Sequence, residues 1–421
     1  MRHLWIACFL AVGCSSSSDA PSAQPPIDAS LDDSAIADGL VDSSVVDSSV
    51  VDSTSIDSSA AETTPSTDAP TDAPTTGKTI VRVHYPAGTH AIALRGSAGP
   101  WNWTTGVSMT KGASDTWTIE TDAITTDTEW KPLLDDATWS RGPNYHVAPH
   151  TTVDVYPHFT QIAGKYSVKW PTFHSAILPN DRSVWVYLPP TAIENPLARF
   201  PVVYMHDGQN LFDASTAFGG NEWKVDETMD AAAEDGSIRE AIVIGVGNTS
   251  ARIAEYTPTK DPSEPTGGDG DKYLSLLVTE LKPMVDAALP TIPTRESTAL
   301  VGSSLGGLIS AYAGTTKSDT FALIGALSPS TWWSSTVIIT DVAATKGKTP
   351  QPLRVYVDSG DSGTSSDDMA NTKKLAQTYR DVGYIDGKDL DYVLQAGASH
   401  SEIYWAQRLP GALQFLLGKG R

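Results

Sequence analysis

One strand-turn-helix pattern constrains the fold of this 421-residue chain more than any other stretch. The apolar run 297–301 leads into Gly-Ser-Ser-Leu-Gly-Gly at 302–307, and small and apolar residues at helical spacing follow at once. So tight a turn has no room for side chains at its crowded positions, which explains Gly302 and Gly306. The same turn pushes the Ser304 hydroxyl out over the end of a sheet and above the N-terminus of the new helix. The pattern therefore predicts a sheet covered by helices, with a reactive serine at its edge.

The C-terminal part, residues 165–421, predicts an α/β fold. Apolar, β-branched runs such as 202–205, 241–246 and 353–357 alternate with stretches at helical spacing. Runs buried on both faces and joined by helices are typical of a mostly parallel sheet with helices on each side. Ligands in such sheets bind at the carboxyl ends of the strands, so the functional residues are expected there.

The first residues have the pattern of an export signal. Residues 1–13 hold a short positive start and an apolar run too short to span a bilayer, and small residues precede Cys14. This resembles a bacterial lipoprotein signal whose cysteine is lipidated, although Ala11 replaces the usual Leu. The alternative is an ordinary secretory signal, and both export the protein. Cys8 leaves with the signal, so no disulfide is expected. Because Ser15 resembles the outer-membrane sorting choice, we expect a periplasmic or cell-surface lipoprotein whose anchor alone contacts the membrane.

Residues 14–77 predict a disordered acidic linker. They are mostly Ser, Asp, Thr, Ala and Pro, with a five-residue near-repeat of the form Val-Asp-Ser-Ser-Val and no aromatic residue. Such a segment cannot bury enough apolar surface to offset the entropy lost on ordering. Twelve of the chain's carboxylates and no Lys or Arg lie in it, so it carries much of the net charge of −21. The remainder is only mildly acidic, and nothing predicts a nucleic-acid partner.

Residues 78–160 predict a small all-β sandwich, because short alternating runs are separated by Gly, Pro, Asn and Asp turns. The tryptophans and the Trp-Asn turn at 101–102 resemble those of starch-binding and related glycan-binding modules. That resemblance implies three residues that stack on sugar rings, Trp101, Trp103 and Trp139. Trp117 and Trp130 are expected in the core. The alternative is a module that serves only as a packing partner of the α/β part.

A serine hydroxyl needs a base to remove its proton, and His400 is the predicted base. The α/β part offers His174, His206 and His400. Only His400 directly follows the last predicted strand and precedes the last helix. That is the position of the base in the chain order Ser, Asp or Glu, His.

The acid that orients this histidine should follow the strand 353–357. Two candidates stand there, Asp358 and Asp361, and we favour Asp361 because Asp358 could instead tie the strand end together. The pair Asp367-Asp368 is interpreted as a helix N-cap.

An oxyanion hole needs two N–H donors. Leu305, directly after the serine, would supply one. The loop that follows the strand 202–205 would supply the other, from Asp207 or Gly208.

Residues 171–421 resemble the putative esterase family of α/β-hydrolases, which includes esterase D, feruloyl and acetylxylan esterases, and enterobactin esterases. The matching segments are 204–212, 252–258, 302–307, 327–333 and 397–405. The resemblance implies ester hydrolysis through an acyl-serine intermediate, with Arg252, Glu255 and Trp332 facing the pocket. Many relatives carry the acid where this chain has Gly363. Asp361 or Asp358 would therefore substitute, or the site would work as a Ser–His dyad.

We thus expect a secreted or lipid-anchored serine carboxylic-ester hydrolase that acts on acetyl or feruloyl esters of polysaccharide. Two alternatives remain, an enterobactin-type siderophore esterase and a non-catalytic surface glycan-binding protein. No P-loop, dinucleotide fingerprint or metal-ligand spacing is present in the sequence, so no cofactor is expected.

Overall fold

A computed structural model describes residues 77–160, 163–347 and 353–418. The predicted signal, the lipidation site Cys14 and the linker up to residue 76 lie outside these residues. No helix among the described residues is long and apolar enough to cross a bilayer.

The N-terminal described part consists of two sheets that share one core. Alternate residues of its first strand point inward, so Val81 and Val83 pack with Trp117 and Trp130 in one buried cluster. The sheet orders are β4-β5-β1-β9 and β3-β2-β6-β7, with β8 also paired to β6. The strands are β1 (Thr79–His84), β2 (Ile92–Gly96), β3 (Val107–Ser108), β4 (Thr110–Lys111), β5 (Thr116–Thr121), β6 (Thr128–Leu134), β7 (Thr138–Trp139), β8 (Tyr145–Val147) and β9 (Thr152–Val155).

An eight-stranded sheet organises the rest of the chain, in the order β10-β11-β13-β12-β14-β15-β16-β17. Strands β12 to β17 pair in parallel, whereas β11 is antiparallel to both of its neighbours. Every residue of β12 and β13 is buried, as expected for strands covered on both faces. The strands are β10 (Lys165–Phe173), β11 (Arg182–Leu188), β12 (Val202–His206), β13 (Ile242–Val246), β14 (Thr298–Ser304), β15 (Leu323–Pro329), β16 (Arg354–Gly360) and β17 (Leu390–Gln395).

Helices cover both faces of this sheet. Tyr204 of β12 packs with residues of α4 to α8 in one buried cluster, whereas its neighbours Val203 and Met205 pack with residues of α2 and α9 in another. The alternation of strand side chains thus assigns the two faces. The helices are α1 (Pro190–Glu194), α2 (Val225–Asp235), α3 (Arg252–Glu255), α4 (Gly270–Leu276), α5 (Lys282–Ala288), α6 (Leu305–Thr316), α7 (Trp333–Ala343), α8 (Met369–Asp381) and α9 (Glu402–Leu417), with a π-helical turn, Leu277–Leu281, between α4 and α5.

The two-sheet part packs against the edge of the sheet where the parallel strands begin. It contacts α1, which follows β11 and therefore lies at that edge, since β11 runs opposite to the parallel strands. The Asn195 side chain donates to the His84 carbonyl at 2.9 Å, and the Tyr85 hydroxyl donates to Glu194 at 2.8 Å. His158 hydrogen-bonds Thr191 at 2.7 Å. The carboxyl ends of the strands lie at the other edge.

Candidate active site

Ser304 occupies a strained turn between β14 and α6. Its φ of 56° and ψ of −126° are values that residues other than glycine rarely adopt. A Cβ on Gly302 would lie 2.6 Å from the ring of His206, so only glycine fits there. Such strain costs of order 1–3 kcal/mol and persists only where the surrounding packing imposes it. The turn leaves Ser304 half-buried at the carboxyl edge of the sheet, directly before the first N–H groups of α6.

His400 lies in the loop between β17 and α9, and its Nδ1 is 2.6 Å from Asp367 Oδ1. The Asp367 carboxylate is buried, and its second oxygen accepts hydrogen bonds from the Ser328 hydroxyl and the Gly360 N–H. Burial alone would raise the pKa of Asp367, but the hydrogen bonds from His400, Ser328 and Gly360 hold it below its ordinary value. Asp367 therefore remains a carboxylate that can orient the imidazole.

The prediction of Asp361 or Asp358 as the orienting acid is wrong. Asp361 is exposed and accepts a hydrogen bond from the Gly397 N–H at 2.7 Å. Asp358 is buried beneath the site beside Arg408, and burial raises its pKa to about 6. Of the pair interpreted as a helix N-cap, Asp368 does occupy the N-cap position of α8, although its side chain makes no capping hydrogen bond, whereas Asp367 does not occupy it. The strand β16 continues to Gly360, three residues further than predicted, so the acid comes later.

The predicted oxyanion loop directly follows β12. Asp207 adopts the left-handed conformation, with φ 55° and ψ 49°, and its N–H donates to the Tyr256 hydroxyl at 3.3 Å. Gly208 comes so close to Gly245 that an added Cβ would lie 2.5 Å from its carbonyl carbon. Leu305 is the first residue of α6, where N–H groups lack intrahelical partners. Because the Asp207 N–H is already engaged, Leu305 and Gly208 are the better donors.

Arg252 pairs with the oxyanion loop. Its Nε and Nη2 donate to the two carboxylate oxygens of Asp207 at 2.8 and 2.9 Å, and Asn248 donates to the same carboxylate at 2.7 Å. Burial opposes ionisation of Asp207, yet the Arg252 charge and these hydrogen bonds keep its pKa below the ordinary value. The positive charge of Arg252 is therefore neutralised by the Asp207 carboxylate.

Glu255 does not face the pocket, and the expectation that it does is wrong. Its side chain is 1% exposed and makes a two-pronged ion pair with the buried Arg182, each N–O distance being 3.0 Å. This pair ties α3 to β11. Trp332, by contrast, is 44% exposed, and its backbone N–H donates to the Asp368 carboxylate at 2.9 Å, so it lies at the surface beside the loop that carries Asp367.

Sequence reasoning missed two further residues at the site. The Ser330 hydroxyl lies 3.3 Å from the Ser304 hydroxyl, and the Ser330 N–H donates to the Ser304 carbonyl. Glu402 begins α9, and its pKa is raised by burial and by the nearby charge of Asp207. Both belong to segments that carry the family resemblance, which was the available signal.

The three tryptophans predicted to stack on sugars fall into two groups. Trp101 is 4% exposed and packs in the core of the two-sheet part, so the stacking prediction is wrong for it. Trp103 and Trp139 are 37% and 38% exposed, with ring centroids 6.1 Å apart. The Arg95 guanidinium lies over the Trp139 ring at 5.4 Å. As expected, Trp117 and Trp130 are buried.

The comparison with protein families decides the class. The family described as "Putative esterase" matches residues 175–416. The chain belongs to this family. As a member of it, the chain is a carboxylic ester hydrolase, and the strained Ser304 and the His400–Asp367 pair together mark the candidate active site.

Individual relatives show low sequence identity to this chain. The uncharacterized protein YbbA of Bacillus subtilis is 27% identical over 57% of this chain and 94% of that protein. The ferri-bacillibactin esterase BesA of the same organism is 26% identical over 43% of this chain and 66% of its own length. A solved structure described as a ferulic acid esterase is 21% identical, with a TM-score of 0.49, over 61% of this chain and 98% of that one.

Proposed function

We propose that this esterase is a serine hydrolase in which Ser304 is the nucleophile, His400 the base and Asp367 the acid. The observation that carries the proposal is the combination of a nucleophile held at φ 56° with a histidine bonded to a buried carboxylate at 2.6 Å. A Ser–His dyad is less well supported, since Asp367 occupies the place of the third member.

The chemistry follows from these positions. His400 Nδ1–H donates to Asp367, which leaves Nε2 unprotonated and able to accept the Ser304 proton. The serine oxygen attacks the ester carbonyl, and the N–H groups of Leu305 and Gly208 stabilise the resulting oxyanion. The imidazolium then protonates the leaving alcohol. Water, deprotonated by the same ring, releases the acid from the acyl-serine. Loss of activity on p-nitrophenyl acetate in Ser304→Ala tests this, and equal rates would refute it.

We propose acetyl or feruloyl esters of polysaccharide as the substrate class. The charges around the site favour a substrate without several negative charges. Arg252 is already paired with Asp207, and the carboxyls of Asp368 and Glu402 add negative charge. Burial raises the pKa of both these carboxyls, so further negative charge is unwelcome beside them. The exposed ring of Trp332 offers a flat surface for an aromatic acyl group or a sugar.

A siderophore esterase is the second candidate, because the name of the BesA relative is that of a ferri-bacillibactin esterase. A ferric catecholate carries several negative charges and needs cationic side chains, which the charge pattern described above does not favour. Rates on matched panels of feruloylated, acetylated and catecholate esters separate the candidates. A preference in kcat/KM for the catecholate ester would refute the polysaccharide assignment.

We further propose that residues 78–160 form a glycan-binding module. The exposed pair Trp103 and Trp139 supports this, because two neighbouring aromatic faces match successive sugar rings. Insoluble-polysaccharide pull-down should weaken in Trp103→Ala and Trp139→Ala, whereas Thr138→Ala should bind as wild type. Binding without any esterase activity would instead favour the non-catalytic alternative.

Export and anchoring through Cys14 are proposed from the signal-like residues alone. Metabolic labelling with a radioactive fatty acid should mark the wild-type chain and not Cys14→Ser. Label retained in that variant would refute lipidation at Cys14.

A further inference from the structure

Beneath the His400–Asp367 pair lies a second buried set of polar groups that the mechanism above does not use. Two carboxylates, Asp358 and Asp367, share this buried region with one guanidinium, that of Arg408 from α9. Two buried carboxylates can both stay ionised only beside a positive charge, because burial disfavours the ionised form of each. The groups that lie between Arg408 and Asp367 determine how the guanidinium charge acts on the Asp367 carboxylate.

The Ser328 hydroxyl lies between Arg408 and Asp367. It is 2.7 Å from Arg408 Nη2 and 2.6 Å from Asp367 Oδ2, whereas the direct distance from Arg408 Nη2 to Asp367 Oδ2 is 3.8 Å. A guanidinium can only donate, so the hydroxyl oxygen accepts from Arg408 and its one hydrogen goes to Asp367. The direction of this hydrogen bond is therefore determined.

The other bonds of this group hold it in place. The Ser328 N–H donates to Asp358 Oδ1 at 2.9 Å. Arg408 Nε faces Asp358 Oδ2 at 2.9 Å as an ion pair, without the alignment of a hydrogen bond, and Arg408 Nη1 donates to Gln395 at 3.0 Å. Strands β15, β16 and β17 and helix α9 are thus joined behind the catalytic acid.

Ser328 itself has a left-handed backbone, with φ 38°, although it is not glycine. Glycine would adopt this conformation at lower cost, so the Ser328 hydroxyl is held in place at the expense of backbone strain. Two residues further on, the Ser330 hydroxyl contacts that of the nucleophile.

We propose that Ser328 and Arg408 are positioning residues of the esterase reaction, which relay the arginine charge through one hydroxyl onto Asp367 Oδ2. The relay keeps Oδ1 free and aimed at His400 Nδ1. This inference rests on the proposed triad.

The relay predicts a signature in the pH profile. The titratable and charged groups that surround Asp367 are His400, Arg408, Asp358 with its neighbour Tyr356, and Asp368. Loss of the Ser328 hydrogen bond destabilises the Asp367 carboxylate and so raises its pKa. A more basic carboxylate holds the imidazolium more firmly, and the acid limb of kcat/KM should move to higher pH.

The test measures pH profiles of kcat/KM on p-nitrophenyl acetate for Ser328→Ala and Ser328→Gly. Both should lose about tenfold in kcat, with KM unchanged within about twofold, and the acid limb should move up by about 0.5–1 pH unit. Ser328→Gly relieves the backbone strain, so it keeps the test valid if the alanine variant folds poorly. Arg408→Lys keeps the cation without the fork and should shift the limb in the same direction.

Ser359→Ala is the matched control. It removes a neighbouring buried serine hydroxyl that has no hydrogen-bond partner among the described residues, so it should behave as wild type. An unmoved acid limb in both Ser328 variants would overturn the relay, even if kcat fell. An unmoved limb in Arg408→Lys would remove the arginine from it. Full activity of Ser304→Ala would refute the proposed function instead, which separates the two failures.

Discussion

Replacement of Asp367 by asparagine should reverse the tautomer of His400. The Asp367 Oδ2 position receives two donors, the Ser328 hydroxyl and the Gly360 N–H. The asparagine carbonyl oxygen must take that position, because an NH₂ group there would face both donors. The amide NH₂ then points at His400 Nδ1, which becomes an acceptor, and the ring proton moves to Nε2. A ring protonated at Nε2 cannot accept the Ser304 proton.

The expected loss is large. A wrong tautomer in an otherwise intact triad lowers kcat by about 10⁴-fold, which corresponds to about 5 kcal/mol of transition-state stabilisation. Initial rates on p-nitrophenyl acetate over a range of concentrations give kcat and KM separately. KM should change little, because the substitution does not alter the surfaces that contact substrate.

Asp361→Asn is the matched control for this substitution. Asp361 is exposed and lies in the same loop, so its variant should retain activity within about twofold. The reasoning fails if Asp367→Asn keeps more than about a tenth of wild-type kcat, or if the Asp361 variant loses as much as the Asp367 variant.

Three further outcomes follow from the same geometry. The pKa of Asp367 is held below its ordinary value, so its contribution to stability is fully present above about pH 4 and is lost as the pH falls further. Urea midpoints should therefore fall less between about pH 4 and pH 2 in Asp367→Asn than in wild type. Ser330→Ala removes a neutral hydroxyl 3.3 Å from that of Ser304, and single-turnover kinetics should show a rate loss of about two- to tenfold. A loss as large as that of Ser304→Ala would contradict the view that Ser330 contributes only one uncharged hydrogen bond. Gly302→Ala places a Cβ 2.6 Å from a ring carbon of His206, and urea unfolding should show a loss of more than about 2 kcal/mol in stability. Gly411→Ala in α9 is the control, because no atom lies within 4 Å of its Cβ, and it should be neutral or stabilising.

The parts of the site that depend on local sequence were predictable. The glycines around Ser304 indicate that another segment packs so closely against this turn that a Cβ would not fit. His400 follows the last strand, as the chain order Ser, acid, His requires. The alternation of β-branched runs and helical stretches likewise indicates a sheet covered on both faces.

The parts that depend on distant partners were not. Asp367 meets His400 only because β16 continues to Gly360 and the following loop folds back, so that the Asp367 carboxylate accepts the Gly360 N–H. Glu255 looks like a pocket residue until Arg182, 73 residues earlier, is brought against it. No spacing in the sequence signals such pairs.

Aromatic residues show the same division. Trp101 and Trp103 lie two residues apart, and the sequence pattern predicts the same role for both, yet Trp101 is in the core and Trp103 is on the surface. A turn of irregular backbone separates them, and strand-like alternation does not apply there.

The attachment of the two-sheet part to the starting edge of the parallel strands has a consequence for orientation. Residue 77 precedes β1 of that part, whereas Ser304 ends β14 at the carboxyl edge of the eight-stranded sheet. A force applied at residue 77 is therefore transmitted to the α/β part through the edge of the sheet opposite Ser304. Immobilisation of the protein through residue 77 should therefore leave Ser304 accessible to substrate.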